Sequence, residues 1–161
     1  MIANQDNITI RRMVEDDLTS VHYVDNSIIG KGRVTSWPYS FDAYWDIYHP
    51  SVNFVAELNG QVVGFLSGII EQEERSKSLV NMPHRMHRRD TKIGWIEVMG
   101  VRPDAWHKGI GRRLIEAFQE ECKKNNAVMR IVLRHDDQNL TEFFRNLGFK
   151  APKFITLEKE S

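Results

Sequence analysis

Two parts of the sequence carry residue types that chemistry requires, a cationic glycine turn and an acidic residue inside an apolar stretch. The turn lies in VRPDAWHKGIGRRL, residues 101–114, where Gly109 and Gly111 precede an amphipathic helix pattern. A helix N-terminus leaves backbone N–H groups without partners and carries partial positive charge. Glycines let a phosphate approach these groups closely, so we predict an anion site here, with charge added by Lys108, Arg112 or Arg113.

The motif alone also permits a simpler interpretation, a turn loosened by glycine with its arginines on the surface. The phosphate-loop pattern G-x-x-x-x-G-K-[ST] is absent, and G-x-G-x-x-G fails because residue 114 is leucine. A short glycine motif therefore stays a hypothesis until the elements around it are known.

The acidic residue is Glu97, in the apolar segment WIEVMGV, residues 95–101. Side chains alternate along a strand, so we expect Glu97, Met99 and Val101 to share one face with the indole of Trp95. Partial burial raises the pKa of a carboxylate, which suits a general base near neutral pH. The alternative is a carboxylate at a solvated strand edge or in an ion pair.

The hydrophobic pattern predicts the elements that must position these residues. The predicted strands cover residues 7–13, 53–58, 61–70, 92–101, 127–134 and 153–160, and the predicted helices lie near residues 18–24, 41–49, 110–124 and 138–147. Asn59-Gly60 indicates a tight hairpin, whereas residues 30–40 and 71–91 are expected to be loops. This order predicts one domain, residues 1–161, with a mixed sheet flanked by helices.

The composition restricts the expected partners. Basic and acidic residues both number 22, so the formal net charge is zero and we expect no nucleic acid partner. No apolar run could span a membrane, and the N-terminus lacks the apolar region of a signal peptide, so we expect a cytoplasmic protein without a membrane partner. Cys122 is the sole cysteine and cannot form an intramolecular disulfide. His84 and His87 have no third ligand nearby, so we expect no metal.

The glycine turn resembles the acetyl-CoA turn of the GNAT superfamily of N-acetyltransferases. In that family the fourth strand ends in V-x-P and the turn reads [QR]-x-x-G-x-[GA]. Val101 and Pro103 match the strand end, and Gly109 and Gly111 match the small residues. Trp106 stands where Gln or Arg is usual. The segment FVAELNGQVVGFLSG resembles the family's second and third strands, and FFRNLGF resembles its Y-x-x-x-G-F motif.

The resemblance implies an α/β fold with a mixed, largely antiparallel sheet flanked by helices, whose fourth and fifth strands splay to admit coenzyme A. It implies transfer of an acetyl group from acetyl-CoA to a primary amine by direct attack, with Glu97 as the general base. A backbone N–H near Met99 would bind the thioester carbonyl. The implied cofactor contacts are Met99, Gly100 and Val101 for the pantetheine, His107, Lys108, Gly109, Ile110, Gly111 and Arg112 for the pyrophosphate, and Asn139 and Phe144 near the last helix.

The C-terminal motif departs from the family at a position that bears on the mechanism. The tyrosine of Y-x-x-x-G-F protonates the leaving thiolate in many members, and here that residue is Phe144, which has no proton to donate. Seven residues upstream, where the family often has an asparagine that contacts coenzyme A, stands Asp137, which we expect to cap the helix.

The acceptor is expected to be a small amine, a peptide N-terminus or a lysine. The resemblance puts the acceptor near residues 28–50, where the loop residues Trp37 and Tyr39 are the candidate substrate contacts. Phe41, Tyr44 and Tyr48 recur at helical spacing, so we expect them to form a buried helix face. The alternative is that aromatic residues of this segment shape a pocket for a peptide N-terminus or an alkylamine through cation–π contacts.

The departures at Trp106 and Phe144 leave one alternative open, a catalytically degenerate module that binds or senses coenzyme A or acyl-CoA. Many members of the family are dimers, so a homodimer is an assembly that the resemblance allows.

Overall fold

The computed structural model of the chain describes residues 7–28, 34–35, 40–48, 50–72, 92–134 and 136–151. Its strands are β1 (Ile8–Arg12), β2 (Val34–Thr35), β3 (Val52–Leu58), β4 (Gln61–Gln72), β5 (Lys92–Val101) and β6 (Ala127–Ile131). Its helices are α1 (Leu18–Ile28), α2 (Phe41–Tyr48), α3 (Ile110–Lys124) and α4 (Gln138–Asn146).

The described strands form one six-stranded sheet in the order β1-β3-β4-β5, with β2 and β6 both on the far edge of β5. Its pairs are antiparallel except for β5 and β6, which run parallel. The sheet is therefore mixed and largely antiparallel, as predicted. The predicted fourth strand is β5 in this numbering, because β2 adds a strand before it.

The hairpin between β3 and β4 follows from its turn residues. Asn59 and Gly60 have φ angles of 51° and 81°, the left-handed conformation that a type I′ turn requires. Leu58 and Gln61 flank the turn as the closing pair. The tight hairpin predicted at Asn59-Gly60 is confirmed.

Helices cover both faces of the sheet and bury two separate clusters of apolar side chains. On one face α3 and α4 pack on the sheet, and the predicted buried face of α3 is confirmed by Ile110, Leu114, Ile115, Phe118 and Cys122. On the other face α1 and α2 pack on Val55, Phe65 and Val98. The strand β5 contributes to both clusters, so its side chains are held from two sides.

Two predicted elements differ from the described structure, and others lie outside it. The loop predicted at residues 30–40 contains β2, which pairs with β5. The strand predicted at residues 127–134 ends at Ile131. The strand predicted at residues 153–160 lies outside the described residues, as does most of the loop predicted at 71–91.

The helices that the structure describes include none with the length and apolar character needed to cross a membrane.

Candidate active site

The glycine turn begins where β5 ends, and two hydrogen bonds hold that point. The amide of Arg102 donates to the carbonyl of Val63 at 2.7 Å, which ties the end of β5 to β4. The indole N–H of Trp106 donates to the carbonyl of Val101 at 2.6 Å, across the 3-10 turn Pro103–Ala105. Trp106 departs from the family pattern, yet its side chain has a definite structural role, because it links the turn to β5.

The N-terminus of α3 presents a row of backbone donors. Gly109 caps the helix in the left-handed conformation with φ 76°, and the amide of Arg113 donates to its carbonyl at 3.1 Å. The amides of Ile110, Gly111 and Arg112 precede that bond, so the helix offers them no acceptor. These amides lie in the segment where the sequence predicts an anion site.

The space around the turn is open on one side and bounded on another. A Cβ placed on Gly109 would meet no atom of the described residues within 4 Å. A Cβ placed on Gly111 would lie 3.5 Å from the ring of Phe143 and 3.9 Å from the terminal methyl of Met99. Met99 and Phe143 therefore form a wall beside the first turn of α3.

The donor set of this turn fits a pyrophosphate group. Three helix-terminal amides lie just after Gly109, whose surroundings are open, and His107, Lys108 and Arg112 are exposed around them. His107 itself has a φ of 62°, so the backbone turns sharply just before Gly109. Free amides at a helix N-terminus together with adjacent cations bind phosphate groups in many unrelated proteins.

Next to the turn, β5 and β6 separate. Their parallel pairing runs from Lys92↔Ala127 to Ile96↔Ile131 and stops there, whereas β5 continues to Val101. The splay that the resemblance implies between these two strands is confirmed. It opens a gap on the edge of β5 that leads towards the glycine turn.

Part of that edge is covered by β2, which the sequence did not predict. The register pairs Val34 with Met99 and Thr35 with Val98. Met99 therefore has a strand beside it, and the expected role of its backbone N–H as a donor to a thioester remains a prediction. At Gly100 the close approach is made by α1, because a Cβ there would lie 1.9 Å from Cδ1 of Ile28. The expected contact of Gly100 with the pantetheine remains a prediction.

Glu97 is the extra residue of a β-bulge. Ser67 of β4 pairs with Val98 and Gly68 pairs with Ile96, so Glu97 has no opposite residue in β4. A bulge interrupts the alternation of side chains along a strand. The expectation that Glu97 shares a face with Met99 and Val101 is therefore wrong.

The two apolar clusters show where these side chains go. Met99 is buried in the cluster under α3 and α4, and Val101 packs against the same cluster. Glu97 instead contacts the hydroxyl of Tyr44, which belongs to the cluster under α1 and α2. The bulge thus turns the carboxylate towards α2, away from the side chain of Met99.

The environment of Glu97 favours a carboxylate that is harder to ionise than usual. Burial is the largest effect and raises the pKa of Glu97, the hydrogen bond from Tyr44 lowers it, and the negative charge of Glu71 raises it. The net direction is upwards, as the sequence predicted for a base in a partly desolvated site. Among the described residues no ion pair with Glu97 is found, so the alternative that Glu97 is an ion-paired carboxylate loses support.

Tyr44 is the site residue that sequence reasoning missed. The helical spacing of Phe41 and Tyr44 correctly predicts that both are buried. It does not show that the Tyr44 hydroxyl reaches Glu97, which is 53 positions away in the chain. The available signal was the hydroxyl itself, because a buried tyrosine O–H usually has a hydrogen-bond partner.

Asp137 caps α4 as predicted, whereas the ring of Phe144 is buried and not open to the cofactor. The carboxylate of Asp137 accepts from the amide of Leu140 at 3.0 Å, so Asp137 caps the helix. Asn139 is exposed in the first turn of α4. Phe144 is 1% exposed and packs edge-on against Phe143 and Phe149. The assignment of Phe144 to the cofactor site is corrected, because no part of its ring is open to a ligand.

The remaining candidates are either inert or outside the described residues. Burial raises the pKa of the Cys122 thiol to about 11, so this thiol is a core group and not a nucleophile at neutral pH. Trp37, Tyr39, His84 and His87 lie outside the described residues. Within those that the structure describes, no cluster of His, Cys, Asp or Glu has the composition of a metal site.

Comparison with known sequences adds one family match. The sequence profile of the acetyltransferase (GNAT) family matches residues 13–149. No curated protein sequence matches the chain significantly.

Comparison with solved structures shows the same fold in several N-acetyltransferases. The aminoglycoside N-acetyltransferase AAC(6')-Iy in complex with CoA has 15% identity, 99% of each chain covered and a TM-score of 0.70. The ribosomal-protein-S18-alanine N-acetyltransferase from Escherichia coli has 17% identity, 91% of this chain and 80% of that chain covered, and a TM-score of 0.64. The aminoglycoside 6'-N-acetyltransferase AAC(6')-IG from Acinetobacter haemolyticus has 16% identity, 95% and 98% covered, and a TM-score of 0.68. At these identities the likeness concerns the fold.

Proposed function

This chain belongs to the acetyltransferase (GNAT) family, and we propose that it moves an acetyl group from acetyl-CoA to the nitrogen of a primary amine by direct attack. The acceptor is a small amine, a peptide N-terminus or a lysine. The fold neighbours support this range, because by their names two act on aminoglycosides and one on an alanine of a ribosomal protein.

The glycine turn is the proposed site for the pyrophosphate of the cofactor. The amides of Ile110, Gly111 and Arg112 donate to it, and the exposed side chain of Lys108 adds positive charge near it. Beyond Ile96, where β6 leaves β5, β2 covers Val98 and Met99, and the remaining edge at Gly100 and Val101 is the proposed place for the pantetheine arm. In the first turn of α4, Asn139 remains a proposed outer contact. When bound, acetyl-CoA supplies a thioester whose acetyl group goes to the amine and whose sulfur leaves as a thiolate, which takes up the proton that the nitrogen loses on forming the amide.

The observation that carries the proposal is the position of Glu97. The bulge in β5 turns this carboxylate out of the regular alternation, and its pKa is raised mainly by burial. An amine is protonated at neutral pH and must lose a proton before its nitrogen can attack. Glu97 accepts that proton, and a carboxylate with a raised pKa accepts it more readily than an exposed one. Phe144 is buried and has no acidic hydrogen, so it does not protonate the leaving thiolate.

The test is Glu97→Gln, which keeps the shape of the side chain and removes the base. We expect kcat to fall by about 10²- to 10⁴-fold, the usual contribution of a general base, while the affinity for acetyl-CoA stays within a factor of about two. Thiol release should be followed with two acceptors, neamine and a hexapeptide with an N-terminal alanine. Calorimetric titration with acetyl-CoA measures the affinity.

Two outcomes would contradict the proposal. An unchanged kcat in the Gln variant would remove Glu97 from the reaction. Binding of acetyl-CoA without thiol release, for wild type and variant alike over a broad panel of amines, would favour the coenzyme A sensor. No observation on the described residues favours that alternative.

A further inference from the structure

We propose that Tyr44 is a positioning residue for Glu97, whose hydroxyl fixes one carboxylate oxygen and tunes the basicity of the other. This inference rests on the proposed function, in which Glu97 takes the proton of the acceptor amine. Neither the family pattern nor the sequence spacing assigns any role to this tyrosine.

The contact joins a rigid donor to an acceptor of limited freedom. Tyr44 is 2% exposed, and its hydroxyl donates to Oε2 of Glu97. Its ring packs in the cluster with Phe41, Phe65 and Val98, so the hydroxyl cannot swing away without disturbing the core. With Oε2 engaged by Tyr44, Oε1 is the oxygen left to accept a proton from an amine.

The helix that carries Tyr44 is also tied to α1. Asp25 of α1 is 1% exposed, and its carboxylate accepts from the amide of Phe41 at 2.8 Å. The amide of Tyr44 donates to the carbonyl of Ser40 at 3.3 Å, which forms the first turn of α2. The start of α2 is therefore anchored to α1, and α2 in turn carries the hydroxyl to Glu97.

The bulge in β5 completes the arrangement from the other side. Val98 follows Glu97 directly and is buried in the same cluster as Tyr44. Without the extra residue, regular alternation would put Glu97 on the opposite face from Val98. Both partners are thus brought together by features that a regular sheet and an isolated helix would not produce.

Burial and one neighbouring charge oppose the ionised form of Glu97. From α2 comes the neutral hydroxyl of Tyr44, and from β4 comes the negative charge of Glu71. From β6, Arg130 lies over the ring of Trp95, with its guanidinium 5.7 Å from the ring centre. On α1, Asp25 is bonded to the backbone of α2. The hydrogen bond from Tyr44 stabilises the ionised form of Glu97 and so opposes the effects of burial and of Glu71.

The experiment is a carbon-13 titration of the glutamate side-chain carboxyls in the full chain, with wild type and Tyr44→Phe compared. The signal that disappears in Glu97→Gln identifies Glu97. We expect Tyr44→Phe to move the Glu97 midpoint upwards by about one pH unit, the size typical of losing a hydrogen bond to a charged group. Tyr23→Phe is the matched control, because it removes a phenol hydroxyl from a tyrosine that is 65% exposed.

The kinetic readout is the acidic limb of kcat/KM against pH, with neamine or the alanine hexapeptide as the acceptor. It should shift in the same direction and by a similar amount in Tyr44→Phe, and stay in place in Tyr23→Phe. If Tyr44 only fills space, Tyr44→Phe would lower the unfolding temperature but leave the Glu97 titration midpoint and the acidic limb of kcat/KM unchanged. That result would overturn the proposal.

A second measurement leaves the packing nearly intact and predicts the opposite sign. Replacing the 4 tyrosines of the chain with 3-fluorotyrosine makes each phenol a stronger donor. The midpoint of Glu97 should then move downwards, and an upward shift or no shift would count against the proposal.

The experiments distinguish a failure of the role proposed for Glu97 from a failure of the role proposed for Tyr44. If wild type shows no acidic limb that Glu97→Gln removes, the proposed role of Glu97 as the base is lost. If that limb exists but does not shift in Tyr44→Phe, only the role proposed for Tyr44 is lost.

Discussion

At the scale of a single residue, Glu97 shows how a carboxylate proposed as a base can be unfavourable for the fold that holds it. Its carboxylate lies between β5 and α2, where burial raises its pKa although the hydrogen bond from Tyr44 acts in the other direction. A group whose pKa is higher in the folded state binds its proton more tightly when folded. The contribution of Glu97 to the free energy of unfolding is therefore fully present below the unfolded pKa of about 4.3. It is lost as the pH rises through the folded pKa.

It follows that Glu97→Gln should stabilise the protein at pH 7 while it removes activity. We expect the free energy of unfolding to rise by about 1 kcal/mol at pH 7, in the range seen when functional groups are replaced by neutral ones. The difference between variant and wild type should shrink towards pH 4, where Glu97 is protonated in both states. Urea unfolding at the two pH values measures it. A variant that is less stable than wild type at pH 7 would show that the hydrogen bond to the charged carboxylate outweighs its burial.

At the scale of an element, the first turn of α3 separates what the fold needs from what the proposed cofactor needs. Gly109 caps the helix at φ 76°, a conformation that costs an L-residue about 1 kcal/mol or more. Gly111 lies inside the helix, where a Cβ would make ordinary contacts with Phe143 and Met99. Only the first glycine is required by backbone geometry.

The two glycines should therefore respond differently to alanine. Gly111→Ala should leave the free energy of unfolding unchanged or raise it by up to about 1 kcal/mol, because alanine favours helix. Its added methyl should nevertheless weaken coenzyme A binding by about tenfold or more if a phosphate approaches this amide. Gly109→Ala should lower the free energy of unfolding by about 1 kcal/mol. Urea unfolding and calorimetric titration with coenzyme A distinguish the two effects, and full affinity in Gly111→Ala would place the phosphate elsewhere.

At the scale of the whole molecule, β5 lies between two helical layers that approach it closely. A Cβ on Gly100 would lie 1.9 Å from Ile28 of α1, and a Cβ on Gly94 would lie 2.3 Å from the sulfur of Cys122 in α3. The distance between sheet and helix on each side is thus set by the absence of a side chain on the strand. The same close packing determines how far the turn at the start of α3 stands from β5.

A double-mutant cycle tests this close packing of α3. Gly94→Ala alone should lower the free energy of unfolding by about 1 to 3 kcal/mol, because the added methyl overlaps the sulfur of Cys122. Cys122→Ala alone should cost about 1 kcal/mol through lost packing. The double variant should be less destabilised than the sum by at least about 1 kcal/mol, since the methyl can occupy the space of the sulfur. Additive changes in the free energy of unfolding would mean that α3 moves away from the sheet as a rigid unit and that the methyl does not occupy the space of the sulfur.

Many local features of this protein are determined by the sequence alone. The Asn59-Gly60 turn, the buried face of α3 and the Asp137 cap were each predicted from residues close together in the chain, and the structure confirms each of them. They are predictable because the hydrophobic period and the turn and cap preferences depend on neighbouring residues. The anion site proposed at the glycine turn could also be predicted locally, since its amides come from one continuous segment.

The geometry around Glu97 was decided only by the tertiary structure. Alternation along β5 predicted the wrong face for Glu97, because that rule assumes regular pairing along the whole strand. The bulge that breaks this pairing depends on the register between β4 and β5. The contact with Tyr44 depends further on α2 being anchored to α1 through Asp25. The pairing of β2 with Met99 is likewise a long-range choice. A single sequence shows which residues are apolar or charged, but a register between distant strands is selected by the packing of the whole chain.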